Sequence, residues 1–176
     1  MKHFLPMLFL CGCSLADPRG MAAMSQVDLA HDDPAGVAVA IAVPPDLALL
    51  PDGVHLIVTL ATGGQPPRSE DFSLAQSALE GPAPGAMVFV LRDADLPRLR
   101  SLQTSGAASA AAGGHSDVTM AVDAKACLAV PHPDPDMRGS VWMRTRAGAG
   151  FAPLFSDLPL AEIPGWEDAA SKLAPC

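Results

Sequence analysis

The sequence predicts a mainly β fold: an antiparallel β-sandwich (Ig-like or similar) with one short helix and a C-terminal helical turn. Three observations carry that expectation. Apolar residues alternate with period 2 from Val37 to Val43 and again from Val54 to Leu60, the spacing of strands with a buried face. Six or seven segments of strand length are separated by connections rich in Pro, Asp and Gly, the layout of a small all-β domain. No internal repeat and no regular alternation of strand with helix appears, which argues against a parallel sheet. The chain has 176 residues and an apolar fraction of 49%, enough for one domain with one core.

Each element follows in order. Val37, Val39, Ile41 and Val43 share one strand face, and Ala38, Ala40 and Ala42 share the other. Pro44-Pro45 and Pro51-Asp52-Gly53 bracket a connection carrying Leu47, Leu49 and Leu50. A second strand sets Val54, Leu56, Val58 and Leu60 against His55, Ile57 and Thr59. Over Ser69 to Ala78, Phe72 and Leu74 alternate as in a strand, while Phe72, Ala75 and Leu79 fit a helix; strand is the preferred reading. Met87 to Leu91 is an unbroken apolar run, expected to be buried on both faces. Asp95 reads as a helix N-cap with Pro97 in the first turn. Leu96, Leu99 and Leu102 then predict a short helix over Leu96 to Gln103. Gly106 argues against its extension through the following Ser/Gly/Ala-rich stretch.

Val118, Met120 and Val122 begin a strand that reaches Cys127. Pro131 to Asp136 is a rigid, extended loop with a proline at every second position. Ser140 to Arg146 and Gly150 to Phe155 form a hairpin around Ala147-Gly148-Ala149. In its first arm Val141, Met143 and Thr145 oppose Trp142, Arg144 and Arg146. Trp166, Ala169 and Leu173 share the face of a final helical turn or two.

The chain opens with Lys2, then an apolar run from Phe4 to Leu10 interrupted by Pro6, then Leu10-Cys11-Gly12-Cys13. The run is too short to span a bilayer, which takes about 20 apolar residues. This order resembles the signal of bacterial lipoproteins. The resemblance covers the start of the chain only; the folded part is not similar enough to any one family to name it. It implies a signal peptide over 1–12, cleavage after Gly12, and lipidation of Cys13, with Leu10 in the apolar position three residues before it. Ser14 after that cysteine, where aspartate favours the inner membrane, implies the periplasmic face of the outer membrane. Two or three acyl chains suffice for a durable anchor, since each buried CH₂ contributes about 0.8 kcal/mol. The membrane is thus an expected partner. Helix-breaking groups at Asp17-Pro18-Arg19-Gly20 and Asp32-Asp33-Pro34 mark 13–34 as a flexible tether. The β domain is expected over 35–163 and a C-terminal tail over 164–176.

The cysteines are Cys11, Cys13, Cys127 and Cys176. With the signal removed and Cys13 acylated, two thiols remain in an oxidising compartment, which points to a Cys127–Cys176 disulfide that docks the tail. The alternative is one buried and one exposed free thiol.

Lys+Arg number 11 against 19 Asp+Glu, a formal charge of −8. No cluster of Lys or Arg offsets the acids, which excludes nucleic acid as a partner and leaves no polybasic attraction to lipid. His115-Ser116-Asp117 holds the residue types of a catalytic triad, but adjacent side chains cannot converge in those roles. Asp134-x-Asp136-x-Arg138-Gly139 begins like a calcium loop, yet Arg138 stands where an oxygen ligand belongs and Thr145 where the bidentate Glu belongs. His31 and His132 stand beside acids in stretches read as exposed. No catalytic grouping, no metal site and no cofactor site is expected, so a non-enzymatic role is predicted. Trp142 with Arg144 and Arg146 forms a candidate contact patch; the other reading is a Trp covering the sheet with Arg stacked on it. The expected function is that of a membrane-anchored periplasmic lipoprotein acting by contacts with an envelope protein. The alternative is a small-molecule or lipid carrier with an apolar pocket inside the sandwich, motivated by abundant Leu, Met and Val and testable by a closed, ligand-sized cavity.

Overall fold

A five-residue strand, β1 (Ala38–Ala42), runs through the middle of the molecule and is buried on both faces. It belongs to a computed structural model that describes residues 32–176. Around it lie β2 (Leu47–Thr62), β3 (Arg68–Ser77), β4 (Met87–Leu91), α1 (Leu96–Ala111), β5 (Ser116–Leu128), β6 (Arg138–Arg144), β7 (Ala152–Pro159) and α2 (Trp166–Ala170). The chain is mainly antiparallel β. Among the described residues seven strands form one curled sheet, half of a barrel, in the order β5-β2-β3-β4-β1-β6-β7. Every neighbouring pair is antiparallel. The first half of β3 pairs with β2 and its second half with β4.

The period-2 pattern decides which side of the sheet becomes the core. Val37, Val39 and Ile41 join Leu56, Val58, Leu60, Phe72, Leu74, Phe89, Leu91 and Met143 on the inner face. Each such side chain contributes about 1.5–3 kcal/mol when fully buried. Leu99 and Leu102 of α1 close over this cluster. On the outer face, Ala38, Ala40 and Val88 are small or β-branched, and Trp142 and Phe151 pack against them. A third cluster, Leu47, Met137 and Leu160, receives Ile163, Trp166 and Leu173 from the C-terminal segment. Phe72 and Leu74 are 0% and 2% exposed, so the stretch with two sequence readings is a strand because its alternating pair fills the core.

The helix is longer than its sequence pattern indicates. It continues through Gly106 to Ala111 where a stop near Gln103 was expected. A Cβ at Gly106 would stand 3.2 Å from Ser116 Oγ and 3.3 Å from Leu60 Cδ1. The glycine lets α1 approach β2 and β5 closely, and that packing offsets its helix penalty of about 1 kcal/mol. Asp95 occupies the N-cap position but its side chain makes no cap bond. It accepts instead from Arg98 Nη1 at 2.8 Å.

Pro51-Asp52-Gly53 does not precede a strand; it interrupts one. Leu49 faces Ala126 and Val54 faces Ala124, so Leu50 to Gly53 bulge out opposite Lys125 alone. Asp32, Asp33 and Pro34 also contact the folded body. Gln103 Nε2 donates to the Asp32 carbonyl at 2.9 Å, Arg100 pairs with Asp33, and Pro34 is buried. The signal peptide, Cys13 and the tether up to residue 31 lie outside the described residues.

Candidate functional site

The bulge in β2 shapes a groove. Leu60, at one end of β2, lies beneath α1; the groove lies at the other end, on the Leu49 side. Its floor is apolar, built from Leu49 and Val54 of β2, Leu74 of β3, and Met87 and Phe89 of β4. Leu50 and Pro51 line it from the bulge, and Asp52 and Gln76 supply its polar rim. Its volume is about 280 Å³. Leu50 is 38% exposed, one of three large apolar side chains left exposed among the described residues, with Leu79 and Val118.

Backbone geometry explains why the lip has this sequence. Gly53 has no room for a side chain: a Cβ would stand 2.9 Å from the Leu50 carbonyl oxygen and 3.1 Å from that of Lys125. Asp52 has φ +54°, a left-handed conformation that Asp tolerates better than most residues. Two contacts hold it there. His55 Nε2 stands 3.1 Å from the Asp52 carbonyl oxygen, and the Asp52 carboxylate pairs with Arg92. His55 Nδ1 in turn lies 2.7 Å from the Asp71 carboxylate.

Beside this, an ion network ties α1 to β3. Arg98 donates to Glu70 at 2.7 Å and Arg68 donates to the other oxygen of the same carboxylate at 2.7 Å. The Arg98 guanidinium also lies 4.8 Å over the Phe72 ring. Hydrogen bonds from Arg98, then Arg68, hold the Glu70 carboxyl below the usual carboxylate range. The bonds to Glu70 and Asp95 raise Arg98 above its ordinary value. At the start of the body, the Ala35 N–H and then Arg100 hold Asp33 low.

No family model, no curated protein and no solved structure matches this chain.

The structure brings Trp142 and Arg144 to the outer face but gives each a local partner. Trp142 is half-buried against Ala38, Ala40 and Val88. Arg144 Nε donates to the Gly36 carbonyl at 3.1 Å, and its guanidinium lies 5.4 Å over the Phe151 ring. Arg146 is exposed beyond the end of β6. Phe151, which the sequence reading did not connect to this patch, is the aromatic partner of Arg144. The sulfurs of Cys127 and Cys176 stand at bonding distance, 2.08 Å, with Cα atoms 5.1 Å apart. His115 Nε2 pairs with Asp117 at 3.1 Å on the surface. Among the described residues no three His, Cys, Asp or Glu side chains are grouped as a metal set. The groove itself was not foreseen. Its one sequence signal is the Pro-Asp-Gly triplet set between two apolar stretches, which also fits an ordinary turn.

Proposed function

We propose that this chain is a membrane-anchored periplasmic lipoprotein whose folded body binds a protein partner in the cell envelope, with the outer membrane favoured. The anchor rests on Leu10-Cys11-Gly12-Cys13, with Cys13 as the acylated residue. The binding role rests on the groove: an apolar floor edged by the exposed Leu50 and Pro51. At about 280 Å³ it lies just under the range of about 300–1,000 Å³ usual for small-molecule sites. That size suits one or two apolar side chains presented by a partner. We read the curled sheet as a sandwich-type body, Ig-like or similar. The division of β3 between β2 and β4 supports this, as strands that switch layers do at the corners of orthogonal sandwiches.

A photo-activated cross-linker at position 50, in membranes of a bacterial host, tests the binding role. The expected result is a discrete cross-linked protein band that Met87→Glu, on the partly exposed side of the groove, abolishes without releasing the chain from the membrane. Labelled palmitate tests the anchor: label should enter the intact chain and be absent from Cys13→Ser. Equal label in both would end the lipoprotein reading. A second reading, a carrier of a small ligand with an apolar part, rests on Leu49, Met87 and Phe89 in the floor of the same groove. Organic extraction of the purified chain yielding one stoichiometric apolar molecule, with no cross-linked protein, would select it.

A further inference from the structure

We propose that β5 pairs edge to edge with β5 of a second copy of this chain, antiparallel, about a two-fold axis at Ala121. The two edges of the sheet are unlike. β7 carries Pro153 and Pro159, and its ladder with β6 shifts register twice, both devices that blunt an edge. β5 is 13 residues long and has no proline. It pairs with β2 on one side. Among the described residues, its other side is occupied only at its end, where the tail adds a short parallel bridge. There the Leu128 N–H donates to the Ala174 carbonyl at 2.9 Å, and the Cys176 N–H to the Leu128 carbonyl at 2.9 Å. The stretch from Ser116 to Ala126 therefore offers its backbone outward.

The sequence of this stretch is complementary to itself. The outward-facing backbone groups recur at every second residue, so a two-fold antiparallel pair sets residues of equal parity opposite one another and centres on a residue. Centred on Ala121, Asp117 faces Lys125 of the partner subunit, and Thr119 faces Asp123 of the partner subunit. On the other face, Met120 meets Val122 of the partner subunit and Val118 meets Ala124 of the partner subunit. Each contact occurs twice. Met120 and Val122 already pack against the inner core, so the apolar row continues across the seam and covers the exposed Val118. Asp117 is 66% exposed and reaches only the surface His115.

Other registers fail on charge or on space. A centre at Met120 sets Asp117 against Asp123, and a centre at Asp123 sets that acid against itself; like charges directly opposite are destabilising. Centres at Thr119 or Val122 leave Lys125 opposite no acid. A centre at Ala124 does oppose Asp123 and Lys125, but it needs the edge at Leu128 that the tail occupies.

Cysteine cross-linking of the full chain in mild detergent tests this register. Opposed residues in an antiparallel pair have Cα atoms about 4.5–5.5 Å apart, within disulfide reach. Ala121→Cys should oxidise to a dimer linked at 121–121. Thr119→Cys alone should not, whereas a mixture of Thr119→Cys and Asp123→Cys should form a 119–123 link. Analytical ultracentrifugation of the unmodified chain gives an independent reading. Lys125→Asp should weaken its self-association about tenfold by opposing two acids, and Asp117→Lys with Lys125→Asp should restore it. A monomer at all concentrations with no 121–121 link overturns the proposal. So does a photo-cross-link from position 121 to residues 14–31 of the same chain, which would assign the edge to its own N-terminal segment.

Discussion

Gly36 leaves no space for even one more carbon: a Cβ there would stand 2.2 Å from the Ala147 backbone nitrogen. Backbone cannot swing aside as a flexible side chain does, so Gly36→Ala is expected to lose about 3 kcal/mol of stability, the upper range for overpacking. Urea unfolding measures it. Gly53→Ala meets carbonyl oxygens at 2.9 and 3.1 Å; it should lose about 1–2 kcal/mol and displace the Leu50 lip. Glu70 makes a prediction in pH. Its carboxyl is held low by Arg98 and Arg68, so its contribution is present above the usual carboxylate range and is lost as pH falls through its lowered value. Glu70→Gln should therefore be less stable than the parent at neutral pH. The two thermal unfolding curves should converge in acid, where the parent's Glu70 is also neutral. A difference unchanged from neutral to acid pH would mean that the charge has no part in it.

Among the elements, α1 sets two small terms against each other. Gly106→Ala gains about 1 kcal/mol of helix propensity but places a methyl 3.2–3.3 Å from Ser116 and Leu60 side-chain atoms. The net change should stay within about 1 kcal/mol, while Gly106→Leu should lose more than about 2 kcal/mol by overpacking the same gap. The position also shows where sequence reading stops. Alternation of Val37 to Val43 and Val54 to Leu60 made β1 and the later part of β2 legible, because a face-by-face pattern is written in consecutive residues. Gly106 reads as a helix breaker because the partners that need it small are set by tertiary packing: Leu60 lies far away in the chain, and Ser116 returns to the helix only across a turn. Pro51-Asp52-Gly53 reads as a turn for a like reason: only pairing with Ala124 and Ala126 of β5 reveals that β2 continues past it. The groove depends on that bulge and was hidden with it. The tail is a third case. Trp166 and Leu173 were legible as one face, but their target, Leu47, Met137 and Leu160, comes from three separate parts of the fold.

Among the described residues, three clusters are joined by few elements, and this arrangement orders their stability. β1 contributes to both the inner and outer clusters, so exposing it dismantles both at once. Its amides should exchange with solvent water only through global unfolding. The C-terminal cluster is different: Ile163, Trp166 and Leu173 pack on one side of it, and the last residues bond only to Leu128. Its tether is the Cys127–Cys176 pair, 49 residues apart in sequence. A bridge of that span should contribute about 4 kcal/mol by restricting the unfolded chain. Its loss should act locally as well, because the helical segment then depends on its apolar contacts and the two hydrogen bonds to Leu128. Cys176→Ser is expected to speed hydrogen exchange across residues 163–176 many-fold. Exchange in β1 should speed up only by the fall in global stability. If β1 and the tail accelerate equally, the clusters unfold as one unit and the tail is no separate element. If neither changes, the pair contributes nothing to holding the tail, and the Trp166 contacts suffice without it.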